Sequence, residues 1–244
     1  MVNLLYTELL KLKRAKMFLV SVIGAAAAPV LMFIGFLNMK SEKPDTSVTY
    51  EISFYNTNMY VLLLSGTLLY GVITAYLFNR EYVEDTLKNL LTIPVSRTSL
   101  LFSKLLMLLI WIVALTLISW GFTFIFGLIG GFDGLTIDVI LYSLGRYLIG
   151  AVLLFLLSTP SIFVTFWFKN YVPTIIFTAI ATMTNVALVD KKYSALFPWS
   201  AVHVVANKAY VPEYPVLYSV LAILAASIAG LAATIIYFNK SDIQ

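Results

Sequence analysis

The chain has 244 residues, of which 61% are hydrophobic and only 11% are charged, and its mean hydropathy is +0.93. Soluble domains are about 45–50% apolar by a similar count, so this composition excludes a water-soluble protein and predicts an integral membrane protein. The formal net charge is only +4, and the absence of cysteine excludes disulfides, thiolate metal sites and cysteine nucleophiles.

The chain opens with a leucine-rich segment that also carries basic residues. In NLLYTELLKLKRAK, Leu5 and Leu9 lie near one helical face, with Lys11 and Arg14 around it. This pattern is typical of an interfacial helix that leads into the membrane. A plain basic anchor at the inner face explains the same bases without a further function, so both interpretations stay open.

Six continuous apolar runs contain no Asp, Glu, Lys or Arg, and each has about the 20 residues that a spanning helix needs. Continuous rather than alternating hydrophobicity favours helices over the strands of a barrel. We therefore predict an all-α integral membrane protein in which residues 1–244 form a single transmembrane domain. The predicted spans are 17–37, 59–78, 105–129, 147–168, 171–189 and 215–238.

A charged segment separates the second and third apolar runs. Within it, Val83, Leu87, Leu90 and Leu91 recur at the spacing of one helical stripe, while charged side chains occupy the other faces. Pro94 ends the helix because a proline restricts the residue before it and cannot continue the ladder. We predict a short amphipathic helix, a proline-terminated turn and re-entry into the membrane.

Two functions fit this amphipathic helix. It would lie on the headgroups with its apolar face down, but REYVED carries three acids and one base, which suits an anionic inner leaflet poorly. Alternatively, it would insert its apolar stripe into a groove of a cytosolic protein.

The fourth apolar run contains a mid-membrane proline and begins beside an arginine. Pro160 frees the backbone carbonyl of Leu156 and is expected to kink the helix. Arg146 would meet an anionic lipid or pyrophosphate head, or would pair with Asp138 or Asp133. We favour the pairing.

Aromatic residues crowd the long connector 190–214 before the last run, and Phe197, Pro198 and Trp199 lie in its middle. Aromatics at this density are typical of the membrane interface, where they serve as anchors. The family resemblance given below suggests instead a short re-entrant helical element here, which would gate or touch substrate.

Small residues recur every four positions in the sixth run, a spacing that lets helix backbones approach closely in helix packing or in a dimer. These residues are Ala222, Ala226 and Gly230.

The distribution of Lys and Arg predicts the orientation, because cytoplasmic loops carry the excess of these residues. With the N-terminus inside, ten of the 16 bases fall on inner segments and five on outer loops, and Arg146 lies at the outer mouth. We therefore expect both termini in the cytoplasm.

The spans lack the groups that would supply energy or catalysis. Intramembrane acids, the usual mark of ion coupling, are absent from the runs, and no G-x-x-x-x-G-K-[ST] phosphate loop occurs. The single histidine, His203, excludes an H-E-x-x-H metalloprotease. The protein therefore works passively, or energy arrives from a partner.

The segment FNREYVEDTLKNLLTIPVSRTSLLFSKL resembles the loop between the second and third spans of type-2 ABC transporter permeases. The matching elements are Arg80–Glu81, Thr86–Leu87, Pro94–Val95–Ser96–Arg97 and Lys104. The opening TELLKLKRAKMF and six spans with both ends inside fit the same family. The stretches FKNYVPTIIFT, FPWSAV and IYFNKSDI resemble the bacitracin-export and lantibiotic-immunity permeases.

The resemblance implies a permease subunit in a bacterial plasma membrane, with no cofactor of its own. A separate cytosolic ABC ATPase would bind ATP and Mg and grip the amphipathic helix, which is then a coupling helix. The permease would pair with a second copy or a sister permease, contact membrane lipid, and move an amphipathic peptide or lipid-like substrate. No nucleic-acid partner is expected.

The resemblance assigns ATPase docking to the coupling helix and its flanks, and the anchoring of the loop to three residues that follow. The docking residues are Arg80, Glu81, Val83, Glu84, Asp85, Thr86, Leu87, Lys88 and Leu91. The anchors are Pro94, Arg97 and Lys104.

Two alternatives to an ATP-driven exporter remain at this point. An ATP-independent immunity or binding protein would share the membrane class without an ATPase. An intramembrane enzyme lacks visible catalytic groups.

Overall fold

The computed structural model describes residues 2–13, 16–43, 47–83 and 97–240, and these residues are almost entirely helical. Two short departures from α-helix, a π-helical turn Val61–Ser65 and a 3-10 turn Lys192–Ala195, lie among the helices. The α-helices are α1 Val2–Lys13, α2 Lys16–Glu42, α3 Tyr50–Tyr60, α4 Gly66–Val83, α5 Arg97–Ile129, α6 Ile137–Leu156, α7 Ser158–Phe168, α8 Tyr171–Leu188, α9 Pro198–Ala206 and α10 Val216–Lys240.

Six helical stretches of the described chain are long and apolar enough to cross a membrane, as the sequence predicts. They are Lys16–Glu42, Tyr50–Arg80, Thr98–Ile129, Ile137–Phe168, Tyr171–Leu188 and Val216–Phe238. Successive spans place the ends of α2, α5 and α8 at one end of the bundle, which we call the distal end. The opposite end, where α4 stops and α5 starts, is the proximal end.

Three of the membrane helices begin well before the apolar runs from which the spans were predicted. The second begins at Tyr50 rather than 59, the third near Arg97 rather than 105, and the fourth at Ile137 rather than 147. Polar or charged residues close to each run hide the true start from hydropathy. Caps mark two of the starts, since the hydroxyls of Thr49 and Thr136 accept from the amides of Ile52 and Val139.

The fourth span breaks where the sequence predicts a kink. Leu157 ends α6 with φ −74° and ψ −2°, three residues before Pro160. The hydroxyl of Thr159 lies 2.9 Å from the carbonyl oxygen of Leu156, and that of Ser158 donates to the carbonyl of Phe155 at 2.6 Å. The Ser158 hydroxyl therefore donates to a carbonyl at the break, and the Thr159 hydroxyl lies beside the Leu156 carbonyl that proline leaves without an amide partner.

The second span contains the π-helical turn between α3 and α4. The amide of Gly66 donates five residues back, to the carbonyl of Val61. Two side chains donate to carbonyls in this turn: the Thr67 hydroxyl to Leu62 at 2.6 Å, and the Asn185 amide of α8 to Leu63 at 3.0 Å. The irregular backbone is thus hydrogen-bonded in the interior, as backbone away from water must be.

The small residues of α10 pack against the broken fourth span. A Cβ added at Gly230 would lie 2.4 Å from the Pro160 nitrogen, so only glycine allows this approach. Around it, the Ser227 carbonyl accepts from Thr159 at 2.7 Å, and Phe238 stacks on Phe166 with ring centroids 4.9 Å apart. Ala226 also packs against the core, and Ala222 is half-buried.

An aromatic cluster closes the distal end of the bundle. Its buried members are Phe36, Tyr50, Phe54, Phe132 and Tyr147, with Val48. A tight turn completes the closure, since Gly131 has φ +57° and its carbonyl accepts from the Lys40 ammonium at 3.2 Å. The backbones of Tyr50 and Asp133 are joined at 2.9 Å.

Candidate functional site

Most of the predicted coupling helix lies outside the described residues. Its bounds and side chains therefore stay a sequence prediction. The residues concerned are Glu84, Asp85, Thr86, Leu87, Lys88, Leu91 and the anchor Pro94. Arg80, Glu81 and Val83 lie in the last turn of α4, and Arg97 is the first residue of α5.

The last turn of α4, which precedes the predicted docking segment in the sequence, carries an exposed apolar side chain and a cation. Val83 is 69% exposed although it ends a membrane helix. The guanidinium of Arg80 lies over the Tyr76 ring, 6.0 Å from its centroid. Both residues line a cleft of about 340 Å³ between α4 and α8, to which Tyr171 also contributes.

Lys104 links the two helices that flank the predicted loop. Its ammonium donates to the Leu77 carbonyl at 2.8 Å, and it lies 3.9 Å from the Glu8 carboxylate and 5.9 Å from the Phe78 ring centroid. Only 8% of Lys104 is exposed. A charge this deep is tolerated because a carbonyl, a carboxylate and a ring all face it. The contact joins the end of α4 to the start of α5.

The N-terminal helix α1 packs on α5 at the same end. Glu8 is buried toward Lys104, whereas Tyr6, Leu9 and Leu10 are 62%, 42% and 43% exposed. Exposed apolar residues next to a membrane span are typical of an interfacial helix. Through Glu8, α1 touches the same lysine that joins α4 and α5.

At the distal end, the predicted gate residues begin a short buried helix. Phe197 is the N-cap of α9, and Pro198 occupies the first turn, where a missing amide costs nothing. The Trp199 ring lies 5.5 Å from Phe177 of α8 and 5.6 Å from Phe197. Helix α9 packs between α6, α8 and α10. These three residues thus lie at a helix junction.

Arg146 does not pair with an acid. Its guanidinium donates to the Tyr142 hydroxyl at 2.7 Å and lies 4.1 Å from the centroid of that ring. Within the described parts of the chain it forms no ion pair with Asp138 or Asp133, so the favoured pairing is wrong. The i, i+4 spacing on α6 brings tyrosine and arginine together instead.

Arg146 lines a large cleft between α3 and α6. The cleft has a volume of about 620 Å³, in the range of small-molecule sites. Its walls are mainly apolar and aromatic, with Glu51 and Asp138 among the polar lining residues. The full lining comprises Glu51, Phe54, Tyr55, Asn58, Asp138, Val139, Leu141, Tyr142, Ser143, Arg146 and Tyr147.

A buried polar chain runs from this cleft to α9. The Asn58 amide donates to the Asn207 carbonyl oxygen at 2.8 Å, and the Asn207 amide lies 3.0 Å from Nδ1 of His203. Burial, and second the positive charge of Arg146, lower the pKa of His203 to about 4. His203 is therefore neutral at pH 7 and serves as a hydrogen-bond acceptor for Asn207.

Sequence reasoning missed the cleft and the polar chain. Tyr142 and Arg146 are visible at i, i+4 in the sequence, which is the one available signal. Asn58 and Asn207 are 149 residues apart, and no local pattern joins them. In the part of the chain that the structure describes, no group of His, Asp or Glu residues is arranged to hold a metal ion.

Comparison with known proteins adds two findings. The sequence model of the family described as "ABC-2 family transporter protein" matches residues 4–185. The bacitracin transport permease protein BCRB of Bacillus licheniformis is 56% identical over 205 residues, which cover 84% of this chain and 99% of that protein. With its six candidate spans the chain is a multi-pass membrane protein; it is a permease and not an enzyme, because it belongs to the ABC-2 family of transporter permeases.

Proposed function

We propose that this permease exports or expels an amphipathic peptide antibiotic or a lipid-like compound. The observation that carries the proposal is the 56% identity, over most of the chain, to a protein described as a bacitracin transport permease. The apolar spans and the proximal cleft between α4 and α8 suit an amphipathic substrate. Nothing in the family membership favours an ATP-independent immunity factor.

Membership of an ABC transporter permease family implies an ABC ATPase partner. In our proposal the ATPase is a separate cytosolic subunit that holds ATP and Mg, and it docks on residues 80–91. The permease lies in the bacterial plasma membrane with both termini in the cytoplasm, so the proximal end faces the ATPase. A second copy or a sister permease completes the transporter.

The link through Lys104 supports this docking site. Because the ammonium joins α4 to α5 at 2.8 Å, a load applied to the segment between them reaches both spans. Glu8 adds α1 to the same junction. Motion at the segment is thereby transmitted to three helices. At the distal end, we retain Phe197, Pro198 and Trp199 as the proposed outer gate.

The test is a double substitution, Glu84→Lys with Leu87→Asp, in cells that also express the cognate ATPase. Reversing a charge and breaking the apolar stripe is expected to abolish co-purification of the ATPase. Bacitracin resistance conferred by the pair is expected to fall to the level of cells without the permease. Both readouts depend on the apolar stripe of the permease inserting into a groove of the ATPase. Loss of one such anchor residue costs about 2 kcal/mol or more of binding free energy.

The matched control is Leu135→Asp, which places the same charge on an exposed leucine at the distal end. It is expected to retain ATPase binding and resistance. Unchanged co-purification and resistance in the double variant, at equal membrane levels, contradict the docking proposal. If the wild-type pair binds ATPase but confers no bacitracin resistance, docking stands and the substrate assignment fails.

A further inference from the structure

We propose that the distal cleft between α3 and α6 binds the phosphodiester headgroup of a membrane lipid, with the phosphate on Arg146. The site is independent of ATPase docking and of the transported substrate. It combines a mainly apolar cleft of about 620 Å³ with a cation that forms no contact ion pair with a carboxylate of the described residues.

The depth of the cleft matches the headgroup layer. The helical stretch Ile137–Phe168 has 32 residues, whereas about 20 cross the hydrocarbon core. Counted from Phe168 at the proximal boundary, the core ends near residue 149, and Arg146 lies about one turn beyond it. The same count from Arg80 along α4 and α3 ends near residue 61, which leaves Tyr55 and Asn58 at the same level.

Arg146 has donors left for a ligand. One terminal nitrogen donates to Tyr142, while Nε is buried and has no hydrogen-bond partner. A buried donor without a partner is destabilising, and an anion bound at the guanidinium would satisfy it. A guanidinium binds a phosphate through two of its N–H donors.

A second cation converges on the same ring. The Lys208 ammonium lies 5.2 Å from the Tyr142 centroid, and Arg146 lies 4.1 Å from it. Lys208 is exposed and holds a left-handed backbone, φ 54°, two residues after the end of α9. Tyr142 thus holds two positive charges at one edge of the cleft, and together they attract a single phosphate.

The other lining groups favour a lipid over free phosphate. Phe54, Val139 and Leu141 supply apolar wall, which an acyl chain covers and an inorganic ion leaves wet. Glu51 and Asp138, both exposed, repel a phosphate dianion more than a singly charged phosphodiester. They also attract the amine of phosphatidylethanolamine, which makes that lipid the probe of choice.

The experiment measures lipid adducts on the purified protein in detergent by native mass spectrometry. Three probes separate the contributions of the headgroup and of the acyl chains to binding. They are phosphatidylethanolamine, diacylglycerol with the same chains, and inorganic phosphate. Wild-type protein is expected to bind phosphatidylethanolamine about tenfold or more tightly than diacylglycerol, and Arg146→Gln is expected to remove most of that difference. Inorganic phosphate at millimolar concentration is expected not to displace the lipid.

The matched control is Lys192→Gln, because Lys192 is also a distal cation over a tyrosine, 5.5 Å from the Tyr193 centroid, but does not line the cleft. Its lipid affinity is expected to stay within about twofold of wild type. Equal losses in both variants would mean that surface charge alone attracts lipid, and would overturn the site.

Three other results also overturn the proposal. They are equal binding of diacylglycerol, unchanged binding in Arg146→Gln, and displacement by inorganic phosphate, which would assign the site to the free ion. Should Arg146→Gln not fold, Leu141→Trp obstructs the cleft from an exposed position and leaves both cations in place. That variant is expected to lose phosphatidylethanolamine binding, and retained binding counts against the site.

Discussion

At the scale of single residues, Lys104 shows how a charge can sit inside a membrane protein. It is 8% exposed and donates to a main-chain carbonyl of the preceding span. By hydropathy alone, Lys104 lies just before the third apolar run, and the family resemblance assigns it as a loop anchor. The contact with Leu77, 27 residues earlier, could not be predicted, because the partner is a backbone atom without a sequence signature.

Replacing Lys104 by Met keeps the side-chain length and removes the buried donor. We expect a loss of about 1–3 kcal/mol in unfolding free energy, because the Leu77 carbonyl and the Glu8 carboxylate lose a charged partner. For a chain of this size that corresponds to a fall of several degrees in unfolding temperature. The unfolding temperature is measured by tryptophan fluorescence while the protein is heated in detergent.

Lys169→Met serves as the control, since Lys169 is an exposed lysine at the proximal end with the left-handed φ of 48°. The substitution does not change the backbone strain and is expected to shift the unfolding temperature by about 1 °C or less. An equal shift in both variants would show that Lys104 acts only through net charge.

At the scale of helices, sequence periodicity predicts where close packing occurs but not which helix supplies the partner. The small residues of the sixth run predict close approach, and Gly230 meets Pro160 of α7. Packing within the chain therefore uses part of the stripe that was predicted for packing or a dimer, and a dimer contact stays a prediction. The first residues of the helices were harder to predict from the sequence, because the charged residues Lys104 and Arg146 interrupt the apolar pattern inside continuous helices.

Gly230→Ala tests the crossing of α10 and α7. The added Cβ would lie 2.4 Å from the Pro160 nitrogen and 2.8 Å from the Thr159 carbonyl carbon, both rigid backbone atoms. Overpacking of this kind costs about 1–3 kcal/mol. We expect a lower unfolding temperature by the same fluorescence measurement.

Gly121→Ala is the counterpart in α5, where no atom beyond the local backbone of the helix lies within 4 Å of the added methyl group. There the helix propensity of alanine is expected to leave stability unchanged or raised by up to about 1 kcal/mol. Equal destabilisation by the two substitutions would mean that loss of glycine, not the crossing with α7, sets the effect.

At the scale of the whole molecule, composition and run length predicted the class and the six candidate spans, which the structure confirms. The predicted membrane orientation still rests only on the excess of Lys and Arg in the inner segments. The cleft at the distal end was beyond sequence reasoning, because α3 and α6 are brought together only by the bundle. Its polar chain joins Asn58, Asn207 and His203 from three separate regions.

The absence of cysteine allows a direct test of orientation. Single variants Leu135→Cys and Lys169→Cys place one thiol at an exposed distal and an exposed proximal position. In intact cells a membrane-impermeant maleimide is expected to label Leu135→Cys at once and Lys169→Cys only after permeabilisation. The opposite pattern would invert the topology predicted from ten inner and five outer bases.

The π-helical turn Val61–Ser65 sets the rotational phase of the second span. One extra residue in a helix turns everything beyond it by about 100°. Tyr55 and Asn58 before the turn face the distal cleft, while Leu77 and Phe78 after it face the core around Lys104. In a regular α-helix of the same sequence, only one of these two pairs of side chains could face its observed surroundings. The turn therefore lets one span contribute to the distal cleft and to the core around Lys104.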